Sequence, residues 1–127
     1  MLYSFGRRGL AFKMDERLKE MKNVLDAHGF ETQCCNDMDE VTKAIAELIP
    51  YTASVGIGGS VTIRDSGIYN RLLEKGNKVY WHWLKLDDKV AIERDNAFNA
   101  DWYLSSSNAL MKDGSFVNID GTGNRVA

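Results

Sequence analysis

The chain reads as an α/β domain with a mainly parallel sheet and flanking helices. Three observations predict it. Short apolar runs alternate with segments of helical period along nearly the whole length. Two of those runs lead straight into glycine-rich polar loops, "SVGIGGSVT" and "VNIDGTGNR". Proline is confined to Pro50, so no proline-rich linker divides the chain. At 127 residues this is one domain, long enough to bury a core.

The opening "MLYSFGRRGLAFK" lacks the apolar core of a signal peptide, because Arg7 and Arg8 interrupt it. Met14 is a second candidate start, so residues 1–13 read as an N-terminal extension and residues 14–127 as the domain. "MDERLKEMKNVLDAHGF" sets Leu18, Met21, Val24 and Leu25 at helical spacing and stops at Gly29. "FETQCC" is a short strand. Its adjacent Cys34 and Cys35 point to opposite faces, so alone they build no zinc or iron–sulfur site and read as a reduced pair. "DMDEVTKAIAELI" is the second helix, with Val41, Ile45, Leu48 and Ile49 on one side and Pro50 beyond its end.

"ASVGI" is a compact apolar strand over residues 53–57. "TIRDSGIYNRLLEKG" then predicts one helix over residues 62–76, with Thr62 and Asp65 at capping-box spacing and Gly76 as its stop. "KVYWHW" is the next strand; alternation puts Trp81 and Trp83 on one face and His82 on the other. "DDKVAIERDNAFNA" is a weaker helix, and "DWYLS" a further strand. Asp113 and Gly114 sit between apolar pairs and predict a hairpin or tight turn before a strand at residues 116–119. A last helix is expected to begin near Thr122.

Apolar residues make up 44% of the chain and charged residues 27%, with a net charge of −2, as in ordinary soluble domains. No global basic field argues for nucleic acid or an anionic membrane. The early cations Arg7, Arg8, Lys13, Arg17, Lys19 and Lys22 read as a solvated helix face and tail. No run is long enough for a transmembrane helix, and the expected location is the cytoplasm.

In a parallel sheet, ligands lie beyond the carboxyl ends of the strands, where both glycine-rich loops fall. Gly58 and Gly59 remove two Cβ atoms, so backbone N–H groups can approach a ligand closely. Ser60 and Thr62 add hydroxyls, and the following helix adds the positive end of its dipole. These features make a candidate cradle for a phosphate or carboxylate. The loop is equally consistent with a tight turn that needs glycine and a hydroxyl cap. It is neither a dinucleotide fingerprint, since Val61 stands at the third glycine, nor a Walker loop.

The second loop brings Asp120, Thr122, Asn124 and Arg125 together, spaced by Gly121 and Gly123. Arg125 can hold a carboxylate or phosphate bidentately. Asp120 can orient a hydroxyl, bind a metal or act as a general base, and Asn124 offers donor and acceptor. A bare turn would use Asp120 and Thr122 as caps and Arg125 as a counter-ion, but four polar side-chain types in six residues favour a site. Neither His28 nor His82 has a visible catalytic partner.

The segments "SVGIGGSVTIRDSGI" and "DWYLSSSNALMKDGSFVNIDGTGNRVA", and their spacing, resemble the LUD (lactate-utilisation) domain family. The similarity runs from about Glu16 to the last residue, and "SSNALMKDGSFVNIDGTGNRVA" is its most specific part. The resemblance implies an α/β fold related to ribose-5-phosphate isomerase, glucosamine-6-phosphate deaminase and CoA transferases. It makes Gly58, Gly59, Ser60 and Thr62 the analogue of the anion loop in the sugar-phosphate enzymes. Asn108 and residues 120–125 become the rest of the pocket rim. The ligand it implies is a small anionic metabolite, with a role in lactate or related organic-acid use.

Some members of that family work with partners that carry iron–sulfur clusters, which makes a non-catalytic docking subunit a second reading. This chain lacks such cysteine clusters, so no cofactor is expected in it. A third reading is an isomerase or acyl-transfer enzyme, for which Asp120 is the only loop carboxylate to nominate as base. The resemblance also implies a further helix, strand and helix beyond "GNRVA". Without them a sheet edge is left open, and a homo-oligomer or an incomplete domain is expected.

Overall fold

The computed structural model describes residues 2–3, 16–85, 89–121 and 123. In chain order the elements are β1 (Leu2–Tyr3), α1 (Glu16–Ala27), β2 (Cys34–Cys35), α2 (Met38–Leu48), β3 (Ser54–Ile57), α3 (Val61–Ser66) and α4 (Ile68–Lys75). There follow β4 (Lys78–Trp81), α5 (Lys89–Phe98), β5 (Trp102–Leu104), β6 (Ala109–Leu110) and β7 (Phe116–Val117). The expected α/β architecture with a parallel sheet and flanking helices is present. β3 lies between β4 and β5 and pairs with both in parallel. β1 and β2 form a separate parallel pair, and β6 and β7 an antiparallel hairpin.

The central strand explains the layering. Val55 and Ile57 point to one face and are fully buried against Ala46 of α2 and Ile49 just past its end, Ile63 of α3, and Ile68 and Leu72 of α4. The other face of β3 carries Gly56. A Cβ there would lie 2.1 Å from the Ala97 carbonyl oxygen, so α5 packs directly on the backbone and only glycine fits. With both faces covered, β3 reads as a continuous apolar run rather than an alternating one.

The chain leaves β3 through α3 and α4, enters β4 on one side, then crosses by α5 to β5 on the other side of β3. The sheet order therefore reverses at β3. Polar contacts pin the connections. Asn77 Nδ2 donates to the carbonyls of Pro50 (2.7 Å) and Ala53 (2.8 Å), holding the α2–β3 turn. Lys75 Nζ donates to the carbonyls of Ala46 and Ile49, satisfying the carboxyl end of α2. Asp101 accepts from both the N–H and the hydroxyl of Ser54, at 2.8 and 2.7 Å, closing the amino ends of β3 and β5.

Four expectations need correction. The helix predicted over residues 62–76 is two helices, broken at Gly67, whose φ of 75° ends α3. The cap is Ser60, two residues before the predicted position, and Thr62 lies inside α3. The strand "KVYWHW" stops at Trp81, and residues His82–Leu84 form a 3-10 turn. That turn buries His82 and leaves Trp83 exposed but stacked on Trp81, with centroids 5.8 Å apart. The strand predicted at residues 116–119 covers only Phe116–Val117. Asp113 and Gly114 do form the predicted hairpin turn: Met111 N donates to Ser115 O (2.9 Å) and Ser115 N to Asp113 Oδ1 (2.9 Å).

Candidate functional site

The carboxyl ends of β3, β4 and β5 lie side by side, and those of β3 and β5 lead into polar segments. After β3, Gly58 stays in the sheet, with its N–H donating to Leu104 O at 3.0 Å. Ser60, 1% exposed, then turns the chain into α3; its Oγ accepts from Ile63 N at 3.2 Å. The same hydroxyl shares a hydrogen bond with Ser106 Oγ at 2.8 Å, tying this loop to the residues that follow β5. Ser60 is thus a clamp between two loops. α3 has only six residues, so its dipole is weaker than that of the long helix the sequence suggests.

Beside this clamp lies a cleft of about 350 Å³ between α2, α3 and the β6–β7 hairpin. Met38, Val41, Ile45, Ile63, Leu104 and Phe116 supply most of its apolar wall. Among the described residues its polar side chains are all hydroxyls: Thr62, Ser66 and Ser105–Ser107. Ser66 Oγ donates to Ile63 O (2.7 Å) and Ser106 is held by Ser60, whereas Thr62, Ser105 and Ser107 have no hydrogen-bond partner among the described residues. A larger hollow of about 860 Å³ between α2 and α4 carries charges of both signs, including Asp39, Lys43, Arg71 and Glu74. It reaches none of the strand-end loops.

The second sequence-predicted loop is only partly described. Asn108 anchors the hairpin: its N–H donates to Val117 O (3.0 Å) and its Oδ1 accepts from Ile119 N (2.8 Å). Asp120 is half-buried, and its charge reinforces the desolvation that raises the Tyr103 pKa above its usual value. Tyr103 pairs in register with Gly56 and stacks on Phe98 of α5, so Asp120 acts toward the α5 face, opposite the cleft. Gly121 and Gly123 are exposed. Thr122, Asn124 and Arg125 lie outside the described residues.

Two groups of side chains take a setting that the local sequence pattern does not show. Ser105–Ser107 follow directly after an apolar strand, and that position was the available signal. The other is at the end of β4. His82 is 7% exposed, and burial pulls its pKa below the ordinary value, with the Arg94 cation adding and Glu93 opposing. Glu93 Oε1 accepts from Trp81 N at 3.0 Å and lies 4.0 Å from Lys85 Nζ. Burial thus favours the neutral form of the imidazole. Among the described residues no group of three His, Cys, Asp or Glu side chains could hold a metal ion, and no helix is long and apolar enough to cross a membrane.

Comparison with known proteins gives one result. The model of the LUD domain family matches residues 18–127. No curated protein and no solved structure gives a significant match.

Proposed function

The chain belongs to the LUD domain family, which is linked to lactate utilisation in general, and from that premise we propose that it binds a small organic-acid anion at the carboxyl edge of its sheet. The observation that carries this reading is the clamp between Ser60 and Ser106 at the strand where the sheet order reverses. Parallel sheets bind ligands at that crevice, because the loops from adjacent strands diverge to opposite faces there. The clamp joins the loop after β3 to the loop after β5, beside a cleft of ligand size that Thr62 and Ser105–Ser107 line.

The hydroxyls of Thr62, Ser105 and Ser107 receive the polar end of the ligand. Arg125 supplies the cation that pairs with its carboxylate, and Asn124 orients its hydroxyl or keto oxygen, a role that Asp120, turned toward α5, does not share. Losing one charge-assisted pair of this kind weakens binding roughly tenfold to a hundredfold. Thermal-shift and calorimetric titrations with L-lactate, pyruvate and inorganic phosphate test the reading. We expect stabilisation of the wild type by an organic acid, a loss on that scale in Arg125→Ala, and a smaller loss in Thr62→Val. No response of the wild type, or unchanged responses in both variants, overturns it.

A further inference from the structure

Resting on that reading, we infer that the acid carries an unbranched apolar chain of roughly six to ten carbons, seated in the cleft between α2, α3 and the hairpin. Size is the first argument. A water takes about 30 Å³ of liquid volume, so at one such share per heavy atom the cleft holds about twelve groups. A three-carbon hydroxy acid has half that number and leaves much of the apolar wall without partner atoms.

Charge is the second argument. None of the described residues lining the cleft is charged. Their polar side-chain atoms are hydroxyls, and the three without partners among the described residues, on Thr62, Ser105 and Ser107, lie in the first turn of α3 and in the loop that the Ser60–Ser106 bond joins to it. The cleft is therefore amphiphilic in one direction, polar beside the glycine loop and apolar toward Met38, Ile45 and Phe116. A peptide segment would bring backbone N–H and C=O groups against that apolar wall, where nothing satisfies them. An acyl chain has no such groups, and its carboxylate end meets the hydroxyls. The ligand class is a medium-chain 2-hydroxy or 2-oxo acid.

Calorimetric titration of the full chain with straight-chain 2-hydroxy acids of three to ten carbons tests this. Each buried methylene should tighten binding about threefold to fourfold, until the cleft is full. Ala109, which lines the cleft from the exposed hairpin, provides the variant. Ala109→Trp should weaken the eight-carbon acid at least tenfold and leave the three-carbon acid unchanged; Ala109→Leu serves in its place should the larger variant not fold. If short acids bind and affinity is flat with chain length, this inference fails while the anion site stands. If the variant weakens both acids equally, it also fails. If no acid binds, both fail.

Discussion

His82 shows how the end of one strand sets a side chain's charge. It is buried at the end of β4, facing Glu93 and Arg94 of α5, with Lys85 near Glu93. Burial first, and the Arg94 cation second, lower its pKa from 6.5. The unfolded chain therefore takes up this proton at a higher pH than the folded one does. Stability from the neutral imidazole is complete above pH 6.5 and drains as the pH falls from there toward the lowered value. His82→Gln keeps a polar group of similar size but cannot titrate. Urea midpoints compared at pH 7.5, 6.5 and 5.5 should fall more steeply for the wild type than for the variant. Parallel slopes would show that His82 is not the group responsible.

Among the elements, the short helix α3 depends most on one hydroxyl. Ser60→Ala removes the cap on Ile63 N and the buried bond to Ser106, and should cost about 1–2 kcal/mol in urea unfolding. Ser106→Ala loses only the second contact and should cost less; equal losses would refute the capping role. This helix also marks what the sequence could disclose. The existence and order of β3, β4, β5 and their helices were legible, because apolar period and turn residues are local signals. The break at Gly67 was not, since "TIRDSGIYNRLLEKG" keeps helical period on both sides of it. Nor was the end of β4: "KVYWHW" alternates like a strand, but Trp81 N is taken by Glu93, twelve residues away. Gly58, Gly59 and Ser60 were legible as a strand-end loop. The cleft beside them was not, because it exists only once the hairpin lies over α2 and α3.

At the scale of the whole molecule, the hairpin end is one place where apolar surface is left uncovered. Phe30 packs edge-on against Phe116, with ring centroids 5.4 Å apart, yet both rings remain close to half exposed. Met111, Val117 and Ile119, in and just after the hairpin, are exposed as well, Ile119 at 75%. Apolar side chains scattered singly need no partner, but several carried by one short hairpin make it a candidate contact. A second copy of the chain is the partner expected here, in a two-fold arrangement that lets one patch cover its twin. Stable interfaces bury about 800 Å² on each side, and five side chains fall short of that. The association should therefore be weak and concentration-dependent. Light scattering after size exclusion, over roughly a hundredfold range of concentration, should show the mass rising from monomer toward dimer. Val117 and Ile119 do not line the cleft, so substitution there separates association from ligand binding. Ile119→Lys should hold the chain as a monomer at every concentration without weakening acid binding. A wild type that stays monomeric throughout, or a variant that associates equally well, would remove the hairpin as the contact.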